Sequence, residues 1–243
     1  MENKKRRRIM KKIIVGVLIG FLFVFVRCND DDGYPISNMW IGFGVFHTDN
    51  NSSKIIMDNK DILVPIASNY TSGWKERIKQ GARILVNYTI LEEEKDTEGH
   101  VKKYFVKVNS YQNILMKGVM DITPENKDSI GNDAIIVSGY WLTDSLLNFK
   151  LKYWGHSSIH FLNLVKDTTE ITANKQPIKL QLRHNANDDE PAFLYTAYIS
   201  FSLNSLRIAG QDSVKFAVTA TDYDGNKFSK EGVFNYTNLS DIE

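Results

Sequence analysis

The chain has 243 residues, of which 30 are basic and 29 acidic, for a formal net charge of +1. Eight of those bases and one acid precede Cys28, which leaves 22 bases against 28 acids, a balance of −6, beyond the cysteine. A mildly acidic mature chain lacks the electrostatic footprint for nucleic acid or for an anionic lipid surface, and one cysteine excludes an intrachain disulfide.

The chain opens MENKKRRRIMKK, followed by an apolar stretch over 13–26 and then Arg27 and Cys28. A basic leader before a short apolar run is the grammar of an export signal. The run is shorter than the roughly 20 residues of a spanning helix. A cysteine at this place reads as a lipid-modified residue, with residues 1–27 as the lipoprotein signal peptide. Arg27 departs from the small residue that normally precedes such a cysteine, so an uncleaved signal anchor and ordinary secretion stay open as alternatives. Met10 is an alternative start to Met1. The segment Asn29-Asp30-Asp31-Asp32 is similar to the surface-export signal of lipoproteins in the Bacteroidota, which implies an outer-membrane, surface-exposed location. As an acidic, apolar-poor stretch, 28–36 also makes a solvated tether.

Beyond the tether the pattern is all-β: segments rich in Val, Ile, Tyr and Phe recur between turn signals. Strands are expected over 40–47, 55–57, 62–67, 82–91, 103–108 and 113–119, a number and spacing that suit a small closed barrel over 37–124. A helical turn is expected over 72–80, with Gly81 as its stop. The run TPENKDSIGND, 123–133, reads as a linker. Seven further strands, over 134–141, 146–153, 158–165, 178–184, 193–203, 213–220 and 227–236, have the rhythm of an immunoglobulin-like β-sandwich spanning 133–240.

The segments GYWLTDSLLNFKLKYWG (139–155), HFLNLVKD (160–167), KLQLRHNANDDE (179–190) and YISFSLNSLR (198–207) resemble the NigD-like lipoproteins. That resemblance implies an OB-type barrel followed by a β-sandwich and a link to bacteriocin loci. It implies no catalytic residue and no cofactor.

Read on their own chemistry, the candidate sites favour structural roles. His156, His160 and His184 could suggest a metal trio, but the spacing lies on strand-like sequence without the Glu of a zinc-protease helix, so no metal is expected. Asp222-Tyr223-Asp224-Gly225-Asn226 begins like a calcium loop, yet Val233 stands where the twelfth-position Glu belongs, and a hairpin turn is expected. The 185–190 stretch reads as a solvated turn. Either Arg183 or His184 should point inward from the alternating Ile178, Leu180, Leu182 set. Trp40, Tyr70, Trp74 and Tyr88, with Phe43, form a candidate aromatic ligand platform on the barrel, against the expectation that most fill its core. No Gly-x-Ser-x-Gly elbow or phosphate loop occurs. The expected role is a non-enzymatic surface module, anchored through Cys28, that binds a protein or glycan. An envelope spacer is the second reading and a hydrolase with dispersed carboxylates the third. Exposed aromatic residues grouped on one face would favour the binding role.

Overall fold

The computed structural model describes residues 39–49, 52–167 and 176–236. The signal, Cys28 and the Asn29–Asp32 run lie outside these residues.

Strands β1 (Trp40–Asp49), β2 (Ser52–Met57), β3 (Ile62–Ser68), β4 (Arg83–Lys95) and β5 (Val101–Asn113) close into a barrel in the order β1-β2-β3-β5-β4. Period-2 alternation dictates its inside: Phe46, Ile55, Leu63, Ile84, Val86, Val106 and Val108 are fully buried. Gly44 shares the inward face of β1 with Phe46, and a Cβ there would lie 2.6 Å from Ile55 Cγ2 and 2.9 Å from the Ile56 carbonyl. Only a residue without a side chain lets the strands come this close. The expected helical turn is a single 3-10 turn, Lys75–Arg77, flanked by Trp74 and Ile78, which plug the barrel.

Strands β6 (Leu115–Ile122), β7 (Ile136–Leu142), β8 (Leu146–Gly155), β9 (Phe161–Asp167), β10 (Ile178–Asn185), β11 (Phe193–Ser202), β12 (Ser213–Thr221) and β13 (Lys227–Asn235) make an eight-stranded, immunoglobulin-like sandwich in the order β13-β12-β10-β9-β6-β11-β8-β7. One correction concerns β6, which the sequence places in the barrel. Its first half pairs with β11 and its second half with β9. It thus passes from one layer of the sandwich to the other, the way sheet corners are made. Strand spacing does not encode partners, so β6 reads equally well as a last barrel strand. The 123–133 run contains a one-turn helix, Lys127–Ile130, whose Ile130 is buried. Between the layers lie Phe149, Leu151, Leu164, Leu180, Phe201, Phe216 and Val218.

Barrel and sandwich fall in one compact unit and meet through a buried polar junction. Arg83, at the start of β4, is 1% exposed and donates to Asp58 through Nη1 at 2.5 Å and Nη2 at 2.7 Å. From there it reaches the sandwich, with Nε donating to Ser200 Oγ at 3.3 Å and Nη2 to Asn148 Oδ1 at 3.1 Å. Asp58 also accepts from Trp141 Nε1 at 2.8 Å, and Asn148 accepts from the Ser200 hydroxyl at 2.6 Å. Phe43 packs on Trp141 and Tyr198 and lies beneath the guanidinium. Lys60 and Asp144 pair at the margin. A planar guanidinium with five fixed donors suits this junction, where acceptors from three residues converge.

Candidate functional site at the mouth of the sandwich

On β10 the inward positions run Ile178, Leu180, Leu182, His184, so the apolar core ends in a histidine that is 1% exposed. Arg183, the other candidate, lies half-buried on the opposite face. His184 Nδ1 lies 2.9 Å from the Ala134 carbonyl, which can only accept, so that nitrogen carries the hydrogen. Burial lowers the His184 pKa, with His160 adding to the effect, and keeps the ring neutral. Its Nε2 shares a hydrogen bond with His160 Nδ1, 2.8 Å away. His160 Nε2 faces Asp189 Oδ2 at 3.1 Å. A carboxylate cannot donate, so His160 Nε2 is the donor of this pair.

Asp189 is held as a carboxylate by more than this pair. It accepts the backbone N–H of His156, and those of Ser157 and Ser158 at 3.1 Å each. These donors, His156 first, hold its pKa far below the ordinary carboxylate range. Three successive N–H groups make a concavity that elsewhere receives anions, and here the protein's own side chain fills it. Gly155 makes room for the pair: a Cβ at that position would lie 2.8 Å from His160 Nε2 and 3.0 Å from Asp189 Oδ2. The turn read as solvated therefore turns its middle acid inward, with Asn187 and Asp188 in left-handed conformations that bend the chain back.

Around this polar plug stands a group of exposed apolar rings. Phe193, Leu194 and Tyr195 open β11 and are 58%, 46% and 41% exposed. Leu194 pairs with Trp154 across β8, and Tyr195 with Tyr153. The His156 ring stacks on Phe193 at 5.9 Å, and the Tyr195 hydroxyl donates to the His156 carbonyl at 3.0 Å. Tyr153 lies against both His160 and His184. From the β12–β13 hairpin, Tyr223 accepts the Trp154 backbone N–H through its hydroxyl at 3.0 Å. Ile159, at 73%, crowns the loop that Asp189 fastens. Ring geometry is thus set by strand pairing on one side and by the Asp189 staple on the other.

The three histidines do not converge on a metal position. His160 and His184 bond directly, His156 turns outward, and no His/Cys/Asp/Glu group among the described residues is placed to hold an ion. The Asp222 carboxylate accepts the N–H groups of Asp224 and Asn226 in its own hairpin, and Gly225 takes the positive φ that turn requires. On the barrel, Trp74 and Tyr88 are buried, because a five-stranded barrel needs large side chains inside. Tyr70 caps Trp74 and Tyr111, and Trp40 sits opposite Tyr88, so two of the four platform candidates present an exposed ring. In the sequence Ile159, Phe193, Leu194 and Tyr195 look like ordinary strand residues, and Trp154 falls just past the end of an expected strand. The one available signal was three apolar residues in a row at the start of β11, where an inward-outward alternation is expected.

The model of the NigD-like N-terminal OB domain matches residues 45–114, and that of the NigD-like C-terminal beta sandwich domain matches residues 118–236. Among solved structures, a protein described as toxin-related from Parabacteroides distasonis is 28% identical, with a TM-score of 0.67 over 85% of this chain and 100% of its own. A NigD-like immunity protein from Bacteroides caccae is 21% identical, with a TM-score of 0.59 over 81% of this chain and 93% of its own. A protein described as a lipoprotein from Bacteroides fragilis is 13% identical, with a TM-score of 0.58 over 82% and 98%. No curated protein matches the chain.

Proposed function

The chain belongs to the NigD-like family, the OB domain followed by the β-sandwich, and from that membership we propose that it is a non-enzymatic binding or accessory module for a protein partner at the bacterial cell surface. The observation that carries the reading is the exposed ring group at the sandwich mouth. Trp154 and Leu194 are exposed on one face of the paired ends of β8 and β11, and Phe193 and Tyr195 on the other, and so many large apolar side chains left exposed at one strand end mark a surface for a partner. A spacer would need no such surface. A hydrolase would need two carboxylates facing a cleft, whereas the inward acid at the mouth, Asp189, is saturated by its own donors.

The proposed placement is an outer-membrane lipoprotein held by lipid on Cys28, with Asn29, Asp30, Asp31 and Asp32 directing it to the surface. The export grammar of the leader supports this, as does the description of the B. fragilis relative as a lipoprotein. The descriptions of the P. distasonis and B. caccae relatives as toxin-related and as an immunity protein support a protein partner and a role tied to a bacteriocin.

A photo-crosslinking residue placed at 194 on intact cells tests the binding role, with the same residue at 230 on β13 as control. A discrete crosslinked polypeptide at 194 alone is expected. Identical patterns at the two positions would overturn the docking role and favour the spacer. Intact mass with protease shaving tests placement: lipid mass on Cys28 and loss of the protein are expected, and a retained leader or a protected protein would reject it.

A further inference from the structure

We propose that the sandwich mouth is built for a cationic polypeptide segment carrying apolar or aromatic side chains. This rests on the binding role above and names the chemistry of its partner.

The backbone N–H groups and two tyrosine hydroxyls at the mouth are engaged within the protein. The N–H groups of His156, Ser157 and Ser158 point into Asp189, the Tyr195 hydroxyl bonds the His156 carbonyl, and the Tyr223 hydroxyl accepts from Trp154. A sugar platform pairs its aromatic rings with free donors and acceptors that read hydroxyl groups. Here the rings come with Leu194 and Ile159, and the ionisable groups Asp189, His160 and His184 are turned inward onto one another. What this surface offers is apolar area, which apolar side chains of a peptide match.

The charge that remains free around it is acidic. Asp188 and Glu190 flank Asp189 on the turn that fastens the mouth loop, and both are exposed. Asp222 and Asp224 flank Tyr223 on the hairpin that touches Trp154. Asp189 itself is turned inward onto His160. Against these four acids stand Lys152, half-buried two residues back on β8, and Lys227 at the start of β13. A rim of acids around an apolar centre attracts and orients cations, and the attraction weakens with salt. The overall −6 balance of the chain beyond Cys28 has the same sign.

The test uses the full lipidated chain in zwitterionic nanodiscs, with empty nanodiscs subtracted. The probes are a fluorescent dodecapeptide of repeating Lys-Phe-Ser, its Glu-Phe-Ser counterpart, maltohexaose and cellohexaose. The lysine peptide should bind about tenfold tighter than the glutamate peptide, and its affinity should fall as salt rises from about 50 to about 300 mM. Leu194→Ser with Phe193→Ser should weaken the lysine peptide by about tenfold. Asp188→Asn with Glu190→Gln and Asp224→Asn should weaken it several-fold and flatten the salt dependence. Unchanged melting in both variants separates lost contact from lost folding.

Equal binding of both peptides that still depends on residues 193 and 194 would overturn the cationic preference and leave the docking role standing. Binding of neither peptide, with a specific crosslink at 194 on cells, would overturn this partner class alone. Binding of an oligosaccharide that fails in Trp154→Ala would overturn both the cationic segment and the protein partner.

Discussion

Replacing Arg83 by Met tests whether barrel and sandwich are held by a buried charge. Met keeps the length of the side chain and its contact with Phe43 while removing the guanidinium. The change leaves Asp58 without its bidentate partner, and Ser200 and Asn148 without the donors that join them to the barrel. Breaking a buried ion pair from one side costs about 3–5 kcal/mol, because the other charge remains desolvated. Asp58 keeps the Trp141 N–H and is 23% exposed, so the lower end applies, about 3 kcal/mol. For a domain of this size each kcal/mol moves the melting temperature by about 2–4 °C, giving a drop of about 6–12 °C. Calorimetry of the wild type, Arg83→Met, Asp58→Leu and the double variant closes a cycle. The double variant should recover part of the loss, since no orphaned charge is left. A single-variant drop under about 2 °C, or strict additivity in the cycle, would refute the argument.

Other expectations concern the mouth and its supports. Gly131 has φ +72° and ψ 178°, and a Cβ there would lie 2.7 Å from the His184 carbonyl, so Gly131→Ala should destabilise by at least about 1–3 kcal/mol in denaturant titration. Gly155→Ala should separate His160 from Asp189, read as a His160 side-chain NMR shift with the Phe216 core signals unchanged. His184 is held neutral by burial, so the unfolded chain takes up its proton first on acidification. Stability should therefore fall as pH drops below about 6.5. His184→Asn should reduce that slope in pH-dependent melting without abolishing it, because His47 has a lowered pKa of the same sign. The Asp189 contribution has the opposite origin: its folded pKa is depressed, so it is fully present above the ordinary carboxylate pKa of about 4 and is lost only as pH falls further. Asp189→Asn should remove that acid-limb loss.

The strands of the sandwich were legible because one face of each is buried, and period-2 alternation then leaves a direct trace. In β12, Val214, Phe216, Val218 and Ala220 are buried while Lys215, Thr219 and Thr221 are exposed, as their alternation implies. The hairpin at Asp222 was legible for a local reason too, since its turn residues make their own hydrogen bonds. What could not be read depends on contacts distant in sequence. Arg83 meets Ser200 across 117 positions and Asn148 across 65, and nothing at the start of β4 marks one arginine as buried. His160, His184 and Asp189 were each noticed, but as a failed metal trio and a solvated turn. The loop that brings His160 back onto β10 is specified by Asp189 binding three backbone N–H groups, a pattern with no sequence period.

The junction and the mouth occupy the same two strands, and that separates the predictions made for each. The outward face of β11 runs Leu194, Thr196, Tyr198, Ser200, and that of β8 runs Asn148, Lys150, Lys152, Trp154. Ser200 and Asn148 hold Arg83, Tyr198 packs on Phe43, and six residues away Leu194 and Trp154 are exposed. At about 3.3 Å per residue the two regions are about 20 Å apart, beyond the range over which substitutions usually couple. Arg83→Met should therefore lower the melting temperature and leave lysine-peptide affinity unchanged while the protein is folded. Leu194→Ser should do the reverse. If Arg83→Met weakened binding in proportion to its loss of stability, the mouth would be a site that forms only when the barrel is docked, and barrel and sandwich would act as one binding element.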